Sequence, residues 1–343
     1  MRWRPQFVRY IAIVLLMSSV VTAGQLTVKP VIGGFPADSG FSAGAEAVRK
    51  GLLGPVDGRV KAVFSVKKYA LLEAGAEIPE IRPWLSFKVT GRYRNFPQED
   101  FWGLGNQTLQ DQRTNYLLED VDGTAAFQAV SHGFRAGISG GYLKINTGPG
   151  RDDRFPSIPE SLQLGPSYKH VGMSFGYQSL DVESDPHKGG KYTLEWTTFV
   201  SNFQRYVVDV RRFVPIGAND RIALRAETTF TRSSAPAQIP FFMLPTAGGT
   251  DTVRGFNQYR FRDLNALVLN AEYRRPVASF LDAVAFVDAG RVFTLARDLG
   301  LRNLHPSAGF GARVKLGQRV FFGVDLGFGP EGKRLWFRSG QMF

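Results

Sequence analysis

The sequence predicts an all-β protein, a transmembrane antiparallel β-barrel of about 14–16 strands with one extracellular loop folded inward. Three observations predict this class. Apolar and polar residues alternate with period two from about residue 57 to the end of the sequence, while helical periodicity is nearly absent. No segment after Ala23 is apolar over the length of a membrane-spanning helix, so a membrane location requires a closed sheet. The connections alternate between long and short, as they do when one rim faces the outside and the other the periplasm.

The first residues carry a basic start (Arg2, Arg4, Arg9), an apolar centre from Ile11 to about Met17, and small residues at Val21-Thr22-Ala23. This is the pattern of a secretory signal peptide over residues 1–23, leaving residues 24–343 as one barrel domain. The apolar run is shorter than the roughly 18 residues of a spanning anchor. The chain has no cysteine, which removes a disulfide framework and a lipid-modified cysteine. Its formal net charge is +12. A basic surface suits nucleic acid, but an exported chain meets anionic outer-membrane lipid and lipopolysaccharide instead.

The strands follow from the alternation. In "LSFKVTGRY", Leu85, Phe87, Val89 and Tyr93 share one face and Ser86, Lys88, Thr90 and Arg92 the other. In "RIALRAETTF", Ile222, Leu224, Ala226 and Phe230 oppose Arg221, Arg225, Glu227 and Thr229, and in "RVFFGVDLGF", Phe322, Val324, Leu326 and Phe328 oppose Gly323, Asp325 and Gly327. Polar faces rich in Lys, Arg, Glu and Gly suit a lumen, and Tyr93, Tyr142, Trp196 and Trp336 near strand ends suit an interfacial girdle. Upward strands are expected near 38–50, 83–95, 133–146, 190–200, 220–232, 282–293 and 319–328. Downward strands are expected near 58–77, 114–130, 166–181, 205–215, 264–276, 306–316 and 334–343, with room for two more before residue 38 or inside 58–77.

The stretch "GGTDTVRGFNQYRFRD", Gly248 to Asp263, then falls in a long extracellular loop. Val253, Arg254, Gly255 and Phe256 suit a hairpin tip turned into the barrel, and a guanidinium placed there requires an acid. Parity puts Asn270, Glu272 and Arg274 of "LNALVLNAEYRRP" in the lumen, together with Phe286, Asp288 and Gly290 of "AVAFVDAGRVF". Asp288 is the expected partner of Arg254, through a bidentate contact.

"VRGF", "EYRRP" (Glu272 to Pro276), "FVDAG" (Phe286 to Gly290), "GFGARV" (Gly309 to Val314) and the closing "SGQMF" together resemble the surface-antigen family, the barrel superfamily of BamA, TamA and the two-partner-secretion transporters. "FWGLGNQT" (Phe101 to Thr108) and "DVESDPHKGGKY" (Asp181 to Tyr192) resemble two further family motifs, the second with Glu183-Ser184 in place of the usual Arg. The resemblance implies that the loop tip enters the lumen and that Arg254 meets Asp288. It implies a barrel of the Gram-negative outer membrane that inserts or translocates protein or lipid. Implied partners are that substrate and the general barrel-assembly machinery, and association of two copies stays open. Members that move proteins carry polypeptide-transport-associated domains and others a patatin-like lipase domain; the sequence shows neither, so the expected organisation is single-domain. Leu335, Phe337 and Phe343 of "RLWFRSGQMF" form the expected C-terminal assembly signal, with Ser339 and Gln341 interrupting its apolar face.

Other chemistry is weakly supported. "GISGG" (Gly137 to Gly141) matches a nucleophile elbow, yet Phe134, Ala136, Ile138 and Tyr142 alternate straight through it, placing Ser139 in a strand. His132, His170, His187 and His305 lack the spacing of a metal site, and Asp152 and Asp153 in "TGPGRDDRFP" lack that of a calcium loop. Lumenal pairs such as Arg225 with Glu227 suit packing of a filled barrel. No catalytic residue, cofactor or metal is expected. The alternatives to assembly are a passive outer-membrane channel and, with less support, a lipid hydrolase acting through Ser139.

Overall fold

The computed structural model describes residues 21–23, 25–33, 35, 39–317, 319–338 and 342–343. The expected signal peptide lies outside the described residues except for Val21–Ala23, which form a short strand β1 paired with the strand that follows. Sixteen longer strands make a nearly closed antiparallel barrel. In chain order these begin with β2 (Leu26–Ile32), β3 (Ser42–Leu53), β4 (Val56–Ser65), β5 (Ala70–Arg82), β6 (Leu85–Phe101), β7 (Thr114–Ser131), β8 (Phe134–Pro149) and β9 (Ser167–Gln178). They continue with β10 (Gly189–Phe199), β11 (Phe203–Ile216) and β12 (Asp220–Arg232). Two short strands, β13 (Thr246–Ala247) and β14 (Phe261–Arg262), pair with each other inside the next connection. The barrel resumes with β15 (Asn265–Ala278), β16 (Leu281–Phe293), β17 (His305–Leu316), β18 (Arg319–Gly329) and β19 (Gly332–Arg338).

Neighbours in sequence are neighbours in the sheet, so each register follows from one hairpin. The sheet order places β19 beside β2, with no residue register between them among the described residues. Both strands anticipated as hidden are present: β2 precedes residue 38, and 58–77 divides into β4 and β5. The extra strand reverses two expected directions. β3 runs from the long-loop rim to the short-turn rim, and β4 runs back. From β6 onward the expected directions agree with the hairpins.

Alternation of faces places exposed apolar side chains outside, as with Val121, Phe127, Ile138, Met173, Phe175, Val287 and Phe310. Leu335 and Phe337 belong to this outer face. Trp336 does not join the aromatic girdle: it lies between those two outward residues, so period two turns it inward, where it is 2% exposed. Long connections gather at one rim, notably 102–113, 150–166, 233–264 and 294–304. The exceptions are the ten-residue Ser179–Lys188 turn on the other rim and short turns such as Val200–Asn202 on this one.

The apolar core sits at the long-loop mouth. Leu143, Ile145, Tyr168, Phe199 and Phe203 from β8–β11 pack on Ile239, Met243 and Leu244 of the 233–264 connection. Beside them Phe241 meets Phe101 at 4.3 Å and Tyr116 at 4.9 Å between ring centroids. The segment "IPFFML" (Ile239 to Leu244) therefore forms a cap at this mouth, because burying its side chains against apolar wall on two sides removes them from water.

Truncating the cap should be costly. Phe203→Ala removes a ring stacked on Phe199 at 4.4 Å and should lower stability by about 3 to 5 kcal/mol. Thermal unfolding in detergent, followed as loss of heat-modifiable gel mobility, checks this.

Candidate functional site

The 233–264 connection descends into the barrel and closes on itself through the two-residue β13–β14 ladder. Its tip turns at Gly248 and Gly249, with φ of 109° and 110°, in the left-handed region that a side chain would strain. Val253 and Phe256 are fully sequestered with Ala247, Phe261, Ala266 and Val292. Gly290 leaves room for Val253, since a Cβ there would come 2.6 Å from the Val253 Cγ2. Gly327 of β18 likewise lets the tip lie against the wall, because a Cβ would collide with the carbonyl group of Arg254.

Arg254 is 0% exposed and meets the expected acid. Its Nε donates to Asp288 Oδ2 at 2.8 Å and its Nη2 to Asp288 Oδ1 at 2.7 Å, while its backbone N–H donates to Oδ2 at 3.1 Å. Nη1 donates to Glu272 Oε1 and lies 3.5 Å from Asp325 Oδ2. The guanidinium carbon stands 3.4 Å from the centre of the Phe286 ring, so the same cation is held by two faces. The Trp336 indole N–H donates to the Arg254 carbonyl at 2.7 Å. The four lumenal residues expected around the loop, Asp288, Glu272, Phe286 and Gly290, all touch the tip.

Sequence reasoning missed the second ring of charges. Arg313 of β17 donates to Asp325 Oδ1 at 2.6 Å and to Glu272 Oε1 at 3.3 Å. Arg274 donates to Glu272 Oε2 at 2.8 Å, and Arg338 lies 3.2 Å from Asp325 Oδ2. Asn270 donates to Asp288 Oδ1 at 2.8 Å and to the Thr252 carbonyl at 2.6 Å. Four guanidinium groups thus share three carboxylates, all of them buried. The signal was legible as a face, since Asp325 alternates with lipid-facing residues, but not as a set of partners.

The remaining arginines of the loop act above the tip. Arg260 donates to both oxygens of Glu331 in the β18–β19 turn, at 2.8 and 2.9 Å, and to the carbonyl of Thr108 at 2.7 Å. Arg262 donates to the Phe241 carbonyl at 2.8 Å, and Arg205 donates to the Met243 carbonyl, so two cations grip the cap by its backbone. The "FWGLGNQT" segment reaches the same place: Asn106 accepts from the Val292 N–H at 2.9 Å, and its carbonyl lies 2.8 Å from His305 Nε2. The Phe261 and His305 rings stack at 3.8 Å.

At the short-turn rim, Asp181 accepts from the backbone N–H groups of Val182, His187 and Lys188. Asp185 pairs with Arg221, which also meets Asp282 at 3.2 Å. Phe343 does not continue the outward row of Leu335 and Phe337. It is buried with Phe213, Ala223 and Met342, 5.5 Å from the Arg274 guanidinium. Asp152 is held to Arg154 by contacts of 2.8 and 2.7 Å, which pull its carboxyl down to about 2 against the opposing effect of burial. Ser139 lies in the interior of β8 opposite Gly172, not in a strand-turn-helix, and no described hydrogen bond joins it to a histidine. Among the described residues no group of three or more His, Cys, Asp or Glu could hold a metal ion.

The Omp85 superfamily domain matches residues 128–320, more than half of the chain. The chain belongs to the Omp85 superfamily. Solved barrels of this kind are similar in fold. BamA from Haemophilus ducreyi lacking POTRA domains 1-3 superposes with a TM-score of 0.67 at 13% identity, covering 98% of this chain and 79% of that one. CdiB from Escherichia coli gives 0.65 at 12% identity, covering 93% of this chain and 63% of that one. CdiB from Acinetobacter baumannii gives 0.59 at 12%, covering 92% and 59%. This chain therefore spans less than two thirds of either CdiB structure. No curated protein matches the sequence.

Within this Omp85 barrel, Arg254→Ala leaves Asp288, Glu272 and Asp325 facing one another without their central cation. It should cost about 3 to 5 kcal/mol. Arg254→Lys should recover only part of this, because an ammonium cannot form the bidentate contact. Heat-modifiable gel mobility and protease resistance of the three proteins check the ranking.

Proposed function

We propose that this protein inserts or translocates protein or lipid at the outer membrane of a Gram-negative cell. The observation that carries the reading is the loop tip fixed inside the lumen by Arg254. It braces β15–β19, the part of the wall next to the last strand, and fills that half of the interior. A wall braced on one side can yield at the junction of β19 and β2 without collapsing. Membership of the Omp85 superfamily and the fold shared with BamA and CdiB support the same reading. The general barrel-assembly machinery and an exported polypeptide or a lipid are the partners this role requires. The inward tuck of Phe343 leaves Leu335 and Phe337 as the outward apolar residues of an assembly signal.

A second reading, a channel, is favoured by one feature. The wall opposite the loop presents Glu46, Arg59, Lys61, Glu73 and Lys88 to a partly open interior, with Arg59 and Glu46 3.1 Å apart. Half-buried, paired charges of this kind suit a hydrated path through that half of the lumen.

Two measurements separate the readings. Proteoliposomes carrying the protein should speed the folding of an unfolded outer-membrane barrel, and Arg254→Ala should lose that effect. Planar-bilayer conductance of the wild type should be closed or flickering, and should rise when Arg254→Ala frees the loop. Steady large openings in the wild type, with no effect on barrel folding, would establish the channel instead.

A further inference from the structure

The outer wall is not uniform. Across β12, β15, β16 and β17 its outward positions include Ala226, Ala271, Ala289 and Ala308, which form the floor of an apolar depression of about 930 Å³ walled by Leu269 and Phe328. Register makes the floor continuous, with Ala226 opposite Leu269, Leu269 opposite Ala289, and Val287 opposite both Ala271 and Ala308. Arg212 stands at the end nearer the short-turn rim.

The connection from Thr294 to Leu304 lies beyond the other end. It exposes Leu295, Leu299 and Leu301, the last by 71%, above the strands, where a solvated loop would carry polar residues. Arg291, on the outward face opposite Leu267, donates to the carbonyl of Arg302 at 2.8 Å and of Gly300 at 3.5 Å. That pair of contacts holds residues 300–302 beside the outer face of β16, while Asn106 of the 102–113 connection holds the Asn303 carbonyl from the other side at 2.9 Å. Arg297 and Arg302 are exposed beside the leucines, with Asp298 between them in sequence.

We propose that this sector binds one molecule of lipid A, the phosphorylated, multiply acylated anchor of lipopolysaccharide. Its acyl chains run along the alanine floor under the three leucines, and its phosphates meet Arg297 and Arg302. Leucines beside cations at the end of an apolar groove fit a ligand whose charge and chains join at the membrane surface. Two separate arginines suit a headgroup with two phosphates better than one with a single phosphodiester. The inference uses the outer-membrane orientation given above and does not depend on insertion activity.

The test is native mass spectrometry of the detergent-purified protein titrated with purified lipid A and, separately, with phosphatidylglycerol. The wild type should retain one lipid A and prefer it to phosphatidylglycerol. Arg297→Gln with Arg302→Gln should weaken lipid A binding by about thirtyfold, taking the usual contribution of an interfacial arginine twice. Ala289→Phe, which fills the floor, should abolish retention while heat-modifiable mobility stays normal. Equal retention of phosphatidylglycerol by the wild type, or unchanged lipid A binding in both variants, would overturn the proposal. Neither result bears on whether the protein folds other barrels.

Discussion

A guanidinium cannot shed its charge when it leaves water, so whatever surrounds Arg254 must supply the opposite charge. Asp288, Glu272 and Asp325 do so from three strands, and Arg274, Arg313 and Arg338 share Glu272 and Asp325 of that set, so the buried cluster carries one cation in excess. The wall has to be thin where the tip approaches, hence glycine at Gly290 and Gly327. It also has to be in register, because a slip of one residue would turn Asp288 toward lipid and leave the cation alone. The arrangement from β15 to β19 is one solution to one electrostatic demand.

Much of this was legible in the sequence because two rules govern a barrel inside a membrane. Backbone groups must pair, and side chains must alternate between lipid and lumen. These rules were enough to put Glu272, Phe286, Asp288 and Gly290 on one inner face. Applied consistently, they would also have turned Trp336 inward, since Leu335 and Phe337 flank it. The reading of 58–77 as one segment, with two strand directions reversed, has a different cause. The turn between β4 and β5 is built on Lys68, at a φ of 67°, in place of the glycine or asparagine that usually marks such a position. With no turn residue to interrupt it, 58–77 reads as one long strand, and the directions of β3 and β4 follow that error. The partners of Asp325 were hidden for a third reason. Arg313 and Arg338 approach it from the two neighbouring strands, each pairing with Gly323, whereas Arg254 reaches it through the inward loop, a distance not local in sequence.

The interior is divided by chemistry. On the side of β15–β19, charges are buried, fully surrounded and held by a peptide loop. On the side of β3–β6, charges are half-buried and loosely paired, as in the 3.9 Å separation of Lys61 from Glu73. The first half resists deformation because every displacement uncovers a charge. The second is held by exposed pairs of the kind that contribute little to stability.

Arg260 joins the "FWGLGNQT" connection through Thr108, the β18–β19 turn through Glu331, and its own loop through the backbone. Three surface segments far apart in sequence thus share a single fastener. Lifting either partner segment breaks a charge-assisted contact to the buried Arg260 guanidinium. The long-loop mouth is thus fastened by one buried cation that belongs to the same loop as the lumenal tip, so the tip and the surface connections are tied through a single segment of chain.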